Sequence, residues 1–284
     1  MGGVGLEISW LESVIYGLIA GLAEVLPVSS VAHQSILHSL FGVTDCLAYL
    51  RLSVTAGAFM AFLFAMWPLY GRIRRESQIS NSRRRKKRKS KSANMQYVFD
   101  GNLIKAACIP LLVGGIFYGK IQHWQDMVPV VSLLLAINGL VLHLPGYFAK
   151  ANKDSRTLSR LDGILLGICS ALGYLPGISR MAAGLSISSI RGADSHQALK
   201  WGMMLSVPAL AVMLCMDGYG VLAGNGGTPD SVFLLKCFLV FVFACVGTGI
   251  GIRTMKKILL RTSPESFAFY CWGAALFSFI LYLY

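Results

Sequence analysis

The segment GLAEVLPVSSVAHQ (Gly21–Gln34) interrupts the first apolar run of the chain with an acid, a proline, two serines and a histidine. Proline removes a backbone donor and disfavours helical geometry at the residue before it, so the segment predicts two short helices joined by a break. A carboxylate such as Glu24 is costly among apolar side chains unless a partner offsets its charge. The sequence therefore predicts a broken helix whose acid meets a partner from elsewhere in the chain.

The composition predicts a membrane protein. Of 284 residues, 55% are hydrophobic and 14% are charged, whereas soluble domains carry roughly 25% charged residues. The seven cysteines occur singly in apolar runs, which indicates neither a disulfide framework nor a metal site built from cysteines. We therefore expect an all-α, polytopic protein that crosses the cell membrane several times.

Apolar spans of about 20 residues, the length that crosses a bilayer, occur six times. Three of the loops between them contain 19 of the 26 lysines and arginines, whereas the opposite loops contain only Lys120. The positive-inside rule predicts that the basic loops are cytoplasmic. The spans are 48–69, 102–119, 127–147, 197–217, 231–252 and 266–284, and the basic loops are 70–99, 148–160 and 253–261.

The most basic stretch, RRRKKRKSK (Arg83–Lys91), lies within the loop 71–98. Its charge and lack of apolar residues predict a disordered cytoplasmic segment. Because it lies between two membrane spans, we expect it to contact anionic membrane lipids. A partnership with nucleic acid is not expected, and a homodimer is left open.

The segments 11–46 and 161–192 must each return to the face from which they start, so they are predicted to be re-entrant helix pairs. LESVIYGLIAG (Leu11–Gly21) matches LDGILLGICSA (Leu161–Ala171), and both are followed by Leu-Pro-x-x-Ser. A unit repeated with reversed orientation is typical of inverted-repeat membrane folds. We predict one integral membrane domain with repeats at about 11–147 and 161–284.

The two predicted breaks contain most of the intramembrane polar residues, which are functional candidates at membrane depth. An arginine fork matches phosphate oxygens, and small residues allow backbone N–H groups to approach the same anion. A serine could attack phosphorus or position water, the histidine could transfer a proton, and Glu24 could act as base, orienting group or metal ligand. The catalytic candidates are Glu24, Ser30, His33 and Arg180, and the substrate-binding candidates are Ser29, Gly177 and Ser179.

Each candidate also has a structural interpretation. Glu24 and Arg180 could form a buried ion pair that closes the repeat interface, and the serines could cap the helices that follow each break. His33 could be a packing residue. The sequence leaves both interpretations open.

At these two motifs the chain resembles the undecaprenyl-diphosphate phosphatase family associated with bacitracin resistance. AEVLPVSSVAHQ is similar to the first motif of the family and LPGISR to the second. The resemblance implies that Glu24, Ser30, His33 and Arg180 hydrolyse the terminal phosphate of a polyprenyl diphosphate. It also implies a divalent cation, Mg²⁺ or Ca²⁺, with Glu24 as a ligand, and a site open to the outer face.

The chain departs from the family pattern at three positions. Ala20 stands where a second acid is usual, Met181 where the second motif continues with serine, and Ser170 where a glutamine is common. Fewer carboxylates weaken binding of a hard cation, so a weakened activity is one expectation. The alternatives are a transporter or flippase for a lipid phosphate or another anion on the same fold, and a structural or regulatory paralogue that binds no ligand.

Overall fold

The computed structural model describes residues 8–44, 46–86, 95–148, 159–224, 227–259 and 261–283. These residues form eleven α-helices and two short 3₁₀ turns, at Gln122–Asp126 and Leu172–Tyr174, with no β-strand. The predicted all-α class is confirmed. The helices are α1 (Trp10–Ala23), α2 (Ser30–Phe41), α3 (Leu47–Lys86), α4 (Met95–Ile121), α5 (Val128–His143), α6 (Pro145–Phe148), α7 (Arg160–Ala171), α8 (Arg180–Ile190), α9 (Ser195–Leu222), α10 (Ser231–Ile258) and α11 (Ser266–Leu283).

Six stretches of the described chain are long and apolar enough to cross a membrane. They correspond to α3, α4, α5 with α6, α9, α10 and α11. The number and order of the predicted spans are confirmed, and the chain is a multi-pass membrane protein.

The bounds predicted for the disordered loop, 71–98, are wrong at both ends. Helix α3 continues to Lys86 and α4 begins at Met95, and residues 87–94 lie outside the described part of the chain. Lysine, arginine, glutamine and glutamate are good helix formers, so a loss of hydropathy does not end a helix. Most of the predicted loop 148–160 also lies outside the described residues.

Four helices of 11 to 14 residues form two pairs, α1 with α2 and α7 with α8. Helix α1 has 14 residues, about 21 Å, which is shorter than the roughly 30 Å hydrocarbon core of a bilayer. Both pairs begin with the same capping box, Ser9 with Glu12 and Ser159 with Asp162. Each acid thus satisfies a backbone N–H group at the start of its helix.

The two pairs pack in corresponding ways on the long helices. Helix α1 lies along α10, and α7 lies along α4. Each contact depends on glycine: a Cβ on Gly247 of α10 would lie 2.4 Å from the Leu18 carbonyl oxygen, and one on Gly167 of α7 would lie 2.1 Å from the Ala107 carbonyl oxygen. Close backbone approach through small residues is how membrane helices pack. The correspondence agrees with an inverted repeat, whose boundaries stay a prediction.

Gly247→Ala is expected to separate α1 from α10, because the new methyl group meets a backbone oxygen that cannot rotate away. Overpacking of this kind costs about 1–3 kcal/mol. Gly249→Ala is the matched control on the same helix, because a Cβ there has no neighbour within 4 Å. Thermal unfolding in detergent should show a lower Tm for Gly247→Ala alone. Equal Tm values for the two variants would contradict the close α1–α10 packing.

Candidate active site

The breaks of the two hairpins meet inside the protein. The break after α1 ends at Ser29, which caps α2, and the break after α7 ends at Ser179, which caps α8. Arg180, the first residue of α8, forms an ion pair and hydrogen bond through Nη2 with Oε2 of Glu24. Both side chains are buried, at 8% and 6% exposure. The sequence analysis named Arg180 as the partner of Glu24, and the structure brings the two together.

A small pocket of about 20 Å³, roughly the space of one water molecule, lies beside this ion pair. Nη1 of Arg180 donates to the Sδ atom of Met213 on α9 at 3.1 Å, and a thioether is a weak acceptor. An anionic oxygen would be a stronger acceptor for the same guanidinium. Nη1 of Arg180 therefore has only a weak acceptor, while Nη2 is held by Glu24. The pocket is lined by Ala23, Glu24, Ser29, Ser30, Val31, Gly173, Ile178, Ser179, Arg180 and Met213.

Ser29 has the left-handed backbone conformation, with φ of 62°. Such a conformation is unfavourable for a residue other than glycine, and Ser29 adopts it at the point where the break ends and α2 begins. The Ser29 hydroxyl accepts a hydrogen bond from the Ala32 N–H at 3.4 Å, so the predicted capping role is present. Ser29 also lines the pocket, so its capping role is compatible with a binding role.

The hydroxyl of Ser30 has two partners. It donates to the Ala20 carbonyl oxygen at 3.0 Å and accepts from Nε2 of Gln34 at 3.1 Å. Oε1 of Gln34 in turn accepts from the Tyr16 hydroxyl at 3.1 Å. Because the Ser30 proton is directed to a carbonyl and not to a base, this arrangement favours Ser30 as a binding group over Ser30 as a nucleophile.

The imidazole ring of His33 has a hydrogen-bond partner at each nitrogen. Its Nδ1 lies 2.8 Å from the Ser29 carbonyl oxygen, and its Nε2 lies 2.7 Å from the Tyr270 hydroxyl. A carbonyl only accepts, so the ring proton is on Nδ1 and Nε2 accepts from Tyr270. His33 lines an apolar groove beside the ion-pair pocket and not the pocket itself. The structure therefore does not bring its ring to Ser30.

Gly177 and Ser179 shape the second break. Gly177 has φ of +103°, and a Cβ there would lie 2.6 Å from the Val131 carbonyl oxygen of α5. It contacts α5 and does not line the pocket, so the predicted role of Gly177 as a substrate-binding residue stays a prediction. Ser179 does line the pocket, and its hydroxyl caps α8 by accepting from the Ala182 N–H at 3.3 Å.

Asn138 of α5, which the sequence analysis missed, holds the two breaks together. Its Nδ2 donates to the Pro27 carbonyl oxygen at 3.0 Å, and its Oδ1 accepts from the Ser179 N–H at 2.8 Å. The residue is completely buried. One side chain thus satisfies a backbone group from each hairpin.

The described residues do not form a cation site from protein ligands alone. They contain no group of three histidine, cysteine, aspartate or glutamate residues that could hold a metal ion, and the Glu24 carboxylate is bound by Arg180. Asp217, another buried acid, already accepts from Tyr118, Gln122 and Thr55 at 2.9, 2.7 and 3.1 Å. Ala20 is fully buried and offers no ligand. The expected Mg²⁺ or Ca²⁺ stays a prediction, and it does not fit the protein groups by themselves.

Six membrane-length helices around two facing hairpins, with a buried arginine–glutamate pair between the hairpins, define a polytopic membrane protein of inverted-repeat type. The chain belongs to the family of the bacitracin resistance protein BacA, whose family model matches residues 13–277. The resemblance drawn from the two motifs is confirmed.

Curated relatives cover nearly the whole chain. Proteins named undecaprenyl-diphosphatase from Methanococcus vannielii and Desulforapulum autotrophicum are 25% and 28% identical, over 94% and 95% of this chain and 98% and 97% of their own lengths. A protein named undecaprenyl-diphosphatase 1 from Shouchella clausii is 26% identical over 96% of both chains. The likeness therefore extends over the full set of helices and not only over the two motifs.

Proposed function

We propose that the protein hydrolyses a polyprenyl diphosphate, undecaprenyl diphosphate in particular, to the monophosphate and inorganic phosphate. The buried Arg180–Glu24 pair at the meeting point of the two hairpins carries this proposal. A guanidinium held at membrane depth beside Ser29, Ser30 and Ser179 suits a phosphate group attached to a lipid. The names of the relatives point to the same substrate.

The proposed reaction is the transfer of the terminal phosphoryl group to water. The water oxygen forms a bond to the terminal phosphorus, and the bond from phosphorus to the bridging oxygen breaks, so that the monophosphate leaves with the electron pair. Arg180 stabilises the charge on the transferred group, as expected where positioning and electrostatics supply most of the catalysis. Nε2 of His33 carries no proton and accepts from the Tyr270 hydroxyl, and it accepts the proton of the water once that hydrogen bond opens.

The test is phosphate release from C15 and C55 prenyl diphosphates by the purified protein, with and without Mg²⁺ or Ca²⁺. We expect His33→Ala to lower kcat by about 10²–10⁴, the range for a lost proton-transfer group. Ser30→Ala should lower it by only about tenfold, as for one lost hydrogen bond. Equal losses in the two variants would contradict these separate roles, and wild-type protein that releases no phosphate would reject the function. The comparisons give the transporter alternative no support.

We also propose that the basic ends of α3 and α10 face the cytoplasm, with the basic segment against anionic lipids. Support comes from the distribution of lysine and arginine between the two sets of loops, which determines orientation in short loops. Single cysteines introduced into a cysteine-free variant at Glu76 and Trp124 provide the test in intact cells. A membrane-impermeant maleimide added outside should label Trp124→Cys and not Glu76→Cys.

A further inference from the structure

An apolar groove of about 370 Å³ runs beside the first hairpin break, between the end of α10 and the start of α11. Leu22 and Leu26 line it from the hairpin, and Ile258 and Phe267 line it from the other side. Ala23 lines both this groove and the ion-pair pocket. The two cavities are therefore neighbours, one apolar and one able to bind an anion.

This pair of cavities matches the two parts of one lipid. An apolar chain suits the groove, whose volume falls within the roughly 300–1,000 Å³ of ligand pockets, and the Arg180 guanidinium in the neighbouring pocket suits the charge of a diphosphate. The occupant that fits the groove is the prenyl chain of the substrate, because the shared wall at Ala23 places the two ends of one molecule side by side.

His33 and Tyr270 both line the groove, and their side chains are hydrogen-bonded to each other. Their rings are stacked at 5.7 Å with an interplanar angle of 4°, and the Tyr270 hydroxyl lies 2.7 Å from Nε2 of His33. Nε2 is the nitrogen that the proposed reaction needs as proton acceptor. While Tyr270 donates to it, its lone pair is not available to water.

The two partners differ in their freedom to move. His33 is 8% exposed, and its Nδ1 is fixed to the Ser29 carbonyl. Tyr270 is 52% exposed on α11, so its ring can turn away without opening a cavity in the core. When their hydrogen bond breaks, Tyr270 is the side chain that moves.

We propose that Tyr270 is a positioning residue that makes hydrolysis depend on the prenyl chain. A chain in the groove contacts the Tyr270 ring and displaces its hydroxyl from Nε2 of His33, which frees that nitrogen for proton transfer. A diphosphate without a long apolar chain leaves the groove empty, so the Tyr270 hydroxyl stays hydrogen-bonded to Nε2 of His33. This inference rests on the proposed function and adds a source of substrate selectivity to it.

The test compares Tyr270→Phe with the wild type on a C55 diphosphate and on a soluble C5 prenyl diphosphate. The variant is expected to raise kcat/KM for the C5 substrate about three- to tenfold, the range for removing one hydrogen bond, and so to lower the ratio of the C55 to the C5 value. Tyr282→Phe, which removes a hydroxyl near the far end of α11, is the matched control and should leave both values unchanged. If the role of Tyr270 were only structural, Tyr270→Phe would lower kcat/KM for both substrates by the same factor.

Unchanged chain-length preference in Tyr270→Phe, or equal loss on both substrates, would overturn the inference while leaving the proposed function intact. Wild-type protein inactive on the C55 substrate would instead defeat the function itself. Nitrogen-15 spectra of His33 give a second measurement without turnover. A non-hydrolysable C15 methylene diphosphonate should shift the Nε2 signal in the wild type toward the position that Tyr270→Phe already shows without ligand, and no shift would count against the displacement.

Discussion

Arg180→Ala is expected to lower kcat/KM for phosphate release from a C15 or C55 diphosphate by at least about a hundredfold, as when one preorganised donor to the transition state is removed. Its guanidinium is the cation that lines the ion-pair pocket in the described structure, and its Nη1 points at a weak thioether acceptor that a phosphate oxygen can replace. The measurement is steady-state phosphate release by purified protein in detergent. Arg180→Lys keeps the charge without the fork and should recover only part of the loss.

A loss of folding has to be separated from a loss of chemistry in this variant. Arg180→Ala leaves the Glu24 carboxylate buried without its partner, which costs about 3–5 kcal/mol. The double variant Glu24→Gln with Arg180→Met removes both charges, so it should regain most of the wild-type Tm while remaining inactive. Wild-type phosphate release by a folded Arg180→Ala protein would show that the ion pair is only structural.

The meeting of Glu24 with Arg180 could be predicted because charge at membrane depth demands a partner. Few charged residues occur within the apolar segments, and the inverted orientation of the two hairpins brings their breaks toward each other. The six spans could be predicted for a related reason, because an uncharged apolar run of about 20 residues indicates a helix that crosses the bilayer. The end of α3 could not be predicted in this way, because a fall in hydropathy indicates where the chain leaves the membrane and not where the helix ends.

The partners of the site residues could not be predicted from the sequence. Tyr270 lies 237 positions from His33, and no local pattern distinguishes it from other aromatic residues of α11. Asp217 is the last residue of the predicted span 197–217, whereas α9 continues to Leu222 and three donors surround the Asp217 carboxylate. Such contacts depend on helix packing angles, which the hydrophobic pattern does not specify.

Asn138 was missed for the same reason, since one amide in an apolar helix has no signature of its own. Its two hydrogen bonds nevertheless fix the register of one hairpin break against the other. Asn138→Leu is expected to leave the Pro27 carbonyl and the Ser179 N–H buried and unpaired, at a cost of roughly 1–3 kcal/mol for each group. Displacing the Arg180 side by about 1 Å relative to the Glu24 side would then lower kcat by about a hundredfold.

Ser132→Ala is the matched control for this prediction. Ser132 is also buried on α5 and bonds to Ser278 of α11 at 3.0 Å, but its loss leaves no backbone group of either hairpin unpaired. Thermal unfolding and phosphate release are measured for both variants, together with Asn138→Asp, which keeps the acceptor for Ser179 and loses the donor to Pro27. We expect Asn138→Leu and Asn138→Asp to lose activity and Ser132→Ala to retain it. If Asn138→Leu matched Ser132→Ala in both measurements, the hairpins would hold their register through the α1–α10 and α4–α7 contacts alone, and α5 would only fill the space between them.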